Sequence, residues 1–135
     1  MKLVKKIKNV KEYSLEKDKD FFKNIFVVDK KEFKLFNSKR IFIIKENNKI
    51  RGNHSHKKLN QFLICLNGKI KVTVDFGYNK INFILKPFKN GLHIPPKVWS
   101  TQTYCEKNSL LLVICDDYYK EDDYIRNYEN YLRYL

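Results

Sequence analysis

At 135 residues, with 43% hydrophobic and 15% aromatic residues, the chain is long enough for one core and too rich in aromatics for disorder. Its net charge of +13 invites a nucleic-acid reading. The lysines are dispersed, however, and no zinc-finger spacing, strand-borne aromatic RNA motif or basic groove-reading helix accompanies them, so no nucleic-acid partner is expected.

In chain order, the N-terminal MKLVKKIKNVKEY is charged throughout and lacks the apolar stretch of a signal peptide. No later apolar run is long enough to span a bilayer, so no membrane association is expected. The first clear apolar run is residues 20–28, DFFKNIFVV, and the second is 40–45, RIFIIK; both are short and β-branched or aromatic, which predicts strands. A turn-rich segment, ENNKIRGNHSHKK, leads into QFLICL at 61–66. Asn67-Gly68 then stands between QFLICL and KIKVTVDF, a pattern that predicts a hairpin. Ile70, Val72, Val74 and Phe76 alternate with Lys71, Thr73 and Asp75, as on a strand with one wet face.

GYNK leads into INFIL, and GLHIPPKVW, STQTYC and SLLLVIC follow with short punctuation. Roughly eight strands joined by short turns predict an all-β sandwich or barrel. From Glu121, the residues Tyr124, Ile125, Tyr128, Tyr131, Leu132 and Leu135 recur at three- and four-residue spacing, predicting one amphipathic C-terminal α-helix over about 121–134. Cys65, Cys105 and Cys115 are odd in number and lack metal-type spacing, which fits free thiols in a reducing, cytoplasmic compartment.

Two of the three histidines form His54-Ser55-His56. On an extended segment residues i and i+2 share a side, so both imidazoles face one compartment, available for metal ligation or proton transfer. The wider spacing resembles the first cupin motif: His-x-His, four residues, a carboxylate position filled by Gln61, six residues, then Gly68. The later His expected of metal-bearing cupins is replaced by Ser100 in PKVWS. An amide and a hydroxyl are poor ligands for transition metals, so no metal and no cofactor is expected, and proton chemistry remains.

The segment RGNHSHKKLNQ at 51–61 resembles the RGxHAHKKLxQ signature of the dTDP-4-keto-6-deoxyglucose 3,4-ketoisomerases. CLNG at 65–68, PKVW at 96–99, DDYY at 116–119 and DYIR at 123–126 extend the likeness over residues 40–135. The resemblance implies a cupin-type jelly-roll β-barrel occupying residues 1–135 as a single domain. It also implies a homodimer with exchanged N-terminal strands, and a metal-independent enzyme acting on a dTDP-linked 4-keto-6-deoxyhexose. The implied product is the 3-keto isomer, feeding 3-amino-3,6-dideoxy sugars of glycans such as lipopolysaccharide O-antigen.

By the same resemblance His54 is the C3 base and His56 handles the oxygens or the second transfer, with the two roles interchangeable at this stage. Arg40, Arg51, Lys57, Gln61, Trp99 and Ser100 are the expected substrate contacts. The family's Tyr on the strand after Arg40 is absent, with Phe42 and Ile43 in its place, and Ser55 replaces Ala. A non-catalytic sugar-nucleotide binding module and a metal-dependent cupin are the competing readings. A third, a 3,5-epimerase-like enzyme, requires a His–Asp arrangement that the spacing does not reveal.

Overall fold

Short β-branched and aromatic runs do become strands. The computed structural model describes residues 1–15, 29–31 and 33–135. Among them β1 (Lys2–Ile7), β2 (Val10–Ser14), β8 (Asn90–Ile94), β5 (Gln61–Asn67), β10 (Ser109–Cys115) and β3 (Arg40–Glu46) form one antiparallel sheet in that spatial order. The second sheet runs β11 (Tyr124–Ile125), β4 (Ile50–His56), β9 (Trp99–Tyr104), β6 (Ile70–Asp75) and β7 (Lys80–Leu85). The expected jelly roll is therefore present, as two facing sheets rather than a barrel closed by hydrogen bonds. The strand expected over 20–28 lies outside the described residues.

The core sits between the sheets. Leu63 and Cys65 of β5, Leu92 of β8, and Leu111 and Val113 of β10 meet Val72 and Val74 of β6, Phe83 of β7 and Tyr104 of β9. Strand β6 keeps the expected alternation, with Ile70, Val72 and Val74 buried and Lys71 and Thr73 half-buried. Strand β5 is apolar on both faces because both are covered. Phe62 and Ile64 point outward, beneath Leu15 and Phe33.

Two sequence expectations need correction. Asn67-Gly68 makes no hairpin: β5 already has β8 and β10 on its two edges, so the turn carries the chain across to the other sheet. Gly68 is still required there, at φ +77° and where a Cβ would collide with Ser109 Oγ. The four residues after Asp75 do make a hairpin, with β6 and β7 paired from Ile70–Leu85 to Asp75–Lys80.

The C-terminal segment is not one helix. A single 3-10 turn at Glu121–Asp123 is followed by β11, which pairs Tyr124 with His56 and Ile125 with Ser55. Only α1 (Tyr128–Tyr134) is helical, capped by Asn127, whose side chain accepts from Asn130 N–H at 3.0 Å. Pairing to β4 outweighs helical spacing at 124–125 because it completes the sheet beside the histidines. Strands β1 and β2 went unanticipated; Lys-rich β1 has no buried residue and, among the described residues, pairs only with β2.

Candidate active site

The site begins with a bulge. Gly52 (φ +89°) and Asn53 (φ +58°) break the register between β4 and β9, after which His54 stands opposite Ser100. A Cβ at position 52 would lie 2.8 Å from Gln102 Oε1 and 2.9 Å from the Ser100 carbonyl oxygen, so glycine is needed. The strand then sends His54 and His56 to its inner face and Ser55 to its outer one. The imidazole centroids are 4.9 Å apart at 84°, edge to face. Tyr124 joins them from β11, with its ring 5.0 Å from His54 and 4.3 Å from His56.

The electrostatics divide the two rings. Burial, reinforced by the neighbouring His56 and opposed by the backbone of Gly52, pushes His54 down to about 4. Burial also lowers His56, but the Asp123 carboxylate opposes the shift, while Arg40 and Arg126 add to it. Asp123 Oδ2 lies 3.1 Å from His56 Nδ1. Both rings are thus neutral at pH 7. His54 Nδ1 and His56 Nε2 are buried and have no hydrogen-bond partner among the described residues. Two bare, water-shielded nitrogens on one wall are suited to receiving protons.

Opposite them, Arg40, Cys115 and Gln61 form a row across β3, β10 and β5. Arg40 Nη2 points at Cys115 Sγ (3.6 Å), and its guanidinium lies 5.2 Å from the Phe42 ring and 5.7 Å from the Tyr119 ring. Over the rim, the Arg126 guanidinium sits 4.1 Å from the Tyr124 ring centre and donates to Glu121 at 2.6 and 2.9 Å. The Tyr119 hydroxyl also donates to Glu121.

Of the sequence-derived site residues, His54, His56, Arg40, Gln61 and Ser100 line the inner faces of the sheets, Gln61 and Ser100 being buried. Ser100 Oγ accepts from Gln102 Nε2 at 3.3 Å. Lys57 borders a cleft of about 480 Å³, with Lys39, Lys58, Lys120, Asp116 and Asp117 around it. Arg51 and Trp99 are not gathered here. Arg51 precedes the bulge, and its half-exposed side chain turns to the mostly buried Glu46 carboxylate at 3.7 Å. Trp99 alternates with Ser100 and therefore faces outward, packed with Ile125 and Tyr131. Asp123, Tyr124, Arg126 and Glu121 were missed as functional groups. The one available signal was DYIR itself, whose alternation of Tyr124 and Arg126 with Asp123 and Ile125 has the period of a strand. The structure does contain a His–Asp arrangement, between residues 67 positions apart in the chain.

A family model described as FdtA: WxcM-like, C-terminal, matches residues 8–135. The chain belongs to this family. Its FdtA-like relatives include the TDP-4-oxo-6-deoxy-alpha-D-glucose-3,4-oxoisomerase of Aneurinibacillus thermoaerophilus, 37% identical over 102 residues, which are 74% of this chain and 73% of the relative. Among solved structures, a variant of the 3,4-ketoisomerase QdtA from Thermoanaerobacterium thermosaccharolyticum, in complex with TDP-4-keto-6-deoxyglucose, superposes with a TM-score of 0.86 at 33% identity. That match covers 96% of this chain and 95% of the other. The WlaRB TDP-quinovose 3,4-ketoisomerase of Campylobacter jejuni gives 0.84 at 31% identity, over 94% of this chain and 99% of the other. This FdtA-like chain is an isomerase of the sugar 3,4-ketoisomerase family on a cupin-like jelly roll.

Proposed function

We propose that the chain converts dTDP-4-keto-6-deoxy-D-glucose to the dTDP-3-keto-6-deoxyhexose through His54 and His56, acting as a single domain in a cytoplasmic homodimer. The observation that carries this reading is the pair of bare ring nitrogens, His54 Nδ1 and His56 Nε2, buried side by side between the sheets. The C4 ketone acidifies the hydrogen on C3. Neutral His54 takes that proton, and the electron pair moves through C3–C4 onto O4 to give an enediolate. Return of the proton to C4 leaves the ketone at C3.

Each neighbour has a part in this scheme. Arg40 supplies a fixed positive charge inside the cavity, where developing oxyanion charge is poorly screened. The Tyr124 ring closes one side of both imidazoles and keeps water from the enediolate. Exposed Ile41 and Ile43 on β3 give a second copy an apolar surface to cover.

The test is incubation of chelator-treated protein with dTDP-4-keto-6-deoxyglucose in deuterated water, followed by NMR. A 3-keto product carrying deuterium at C4 is expected. Binding without any new sugar resonance would instead select a non-catalytic binding module.

A further inference from the structure

The isomerisation moves two protons, and the scheme above accounts for one. When C3 loses its hydrogen, O4 becomes the oxyanion while O3 keeps its proton. In the product O3 is the ketone and O4 the hydroxyl. A proton therefore has to pass from O3 to O4 while His54 is occupied with the carbon-bound hydrogen.

Asp123 determines what His56 can do about this. The carboxylate accepts on both oxygens: Lys58 N–H at Oδ1 (2.9 Å), Leu59 N–H at Oδ2 (3.3 Å) and His56 Nδ1 at Oδ2 (3.1 Å). An ionised carboxylate can only accept, so the His56 contact requires the ring proton on Nδ1. Nε2 is then the bare nitrogen, and it is the buried, unpartnered one on a side chain only 6% exposed. Among the described residues no carboxylate hydrogen-bonds His54; Glu121 acts on it only through space. Among the described residues, the charged and polar groups that act most on His56 are Asp123, Arg40, Arg126, His54 and the Tyr124 ring, and Asp123 is the one anion of these.

We propose that Asp123 is a positioning residue that locks His56 with its proton on Nδ1 and so keeps Nε2 bare for the O3-to-O4 proton transfer that the ketoisomerase chemistry requires. The transient imidazolium sits against the Asp123 carboxylate, and one proton leaves O3 as one reaches O4, with no net change in the protein. This assignment rests on the ketoisomerase reading. The same carboxylate anchors the β4–β5 loop to the C-terminal segment, so a substitution must separate positioning from scaffolding.

Asp123→Asn does so. An amide turned to keep the Lys58 N–H presents its NH2 to His56 Nδ1, which must then accept, driving the ring proton to Nε2. The measurements are kcat, KM, deuterium wash-in at C3 of unconverted 4-keto sugar, and the nitrogen-15 pattern of His56. The expected result is a kcat lower by about a hundredfold with KM held, the size of a lost acid–base contribution. C3 exchange should persist through His54, and the His56 tautomer should invert. An unchanged kcat overturns the proposal. So does parallel loss of exchange and isomerisation, which would leave Asp123 a scaffold only, or an Nε2–H ring in the parent protein. A parent showing neither exchange nor isomer fails the ketoisomerase reading instead, while its His56 tautomer still decides the positioning.

Discussion

The two faces of the β11–β4–β9 sheet are made from alternate residues of the same three strands, yet they do different work. The inner face carries His54, His56, Ser100 and Tyr124, with bare nitrogens and a network of charged groups at its rim. The outer face carries Ser55, Trp99 and Ile125, sealed by Tyr131 of α1, whose hydroxyl donates to the Asp75 and Lys97 carbonyls at 2.9 and 3.2 Å. One face leaves imidazole nitrogens unsatisfied where substrate supplies the partners; the other, although the buried Ser55 hydroxyl also lacks a partner there, is packed with aromatic and apolar side chains that hold the first in place. Substitutions on the inner face should therefore act on turnover, and those on the outer face on stability.

The largest expected effect is at His54. His54→Ala should lower kcat by about 10²–10⁴-fold, the usual contribution of a positioned acid–base group, with the melting transition retained. The ring is half-buried and makes no hydrogen bond through Nδ1, so the fold gives up little. Deuterium exchange into the sugar and a thermal melt on one preparation check both halves. Retained turnover would remove the inner face from the chemistry.

Acid should separate the faces next. His54 is held at about 4 in the folded protein against an ordinary value of 6.5. The unfolded chain therefore binds more protons between these values, and stability falls as the pH drops from about 6.5 toward 4. Linkage puts the His54 share on the order of 3 kcal/mol. His93, pushed to about 4 by burial behind the other sheet, contributes with the same sign. Urea titrations at pH 7 and pH 4.5 should show the loss, and a His54→Asn variant should show less of it. Equal losses in both proteins would mean that His54 is not held neutral by the fold.

How much of this was legible follows from which contacts are local. The strands at 40–46 and 61–67 announce themselves as apolar runs, and His-x-His announces a shared face because i and i+2 are neighbours on any strand. Asn67-Gly68 specifies a turn but not its partner, and β5 has no free edge to offer β6. The tail's three- and four-residue spacing is real only from Tyr128, since pairing with β4 claims Tyr124 and Ile125 first. Asp123 lies 67 residues from His56, and nothing short of the fold brings a single carboxylate that far.

Trp99 gives the smallest effect and the sharpest check of the alternation. Adjacent residues on a strand face opposite ways, so Trp99 and Ser100 cannot both line the cavity, and Ser100 is the one paired to His54. Trp99 instead meets Tyr128 at 5.1 Å and Tyr131 at 5.5 Å between ring centres. Trp99→Leu keeps an apolar side chain but loses part of that packing, for about 2–3 kcal/mol, less than truncation to alanine. KM for the sugar nucleotide should stay within about twofold, because no binding contact is lost. A tenfold rise in KM with unchanged stability would place the indole against substrate and turn the β9 register over by one residue. That outcome would also move Ser100 away from His54, so the one variant tests both faces.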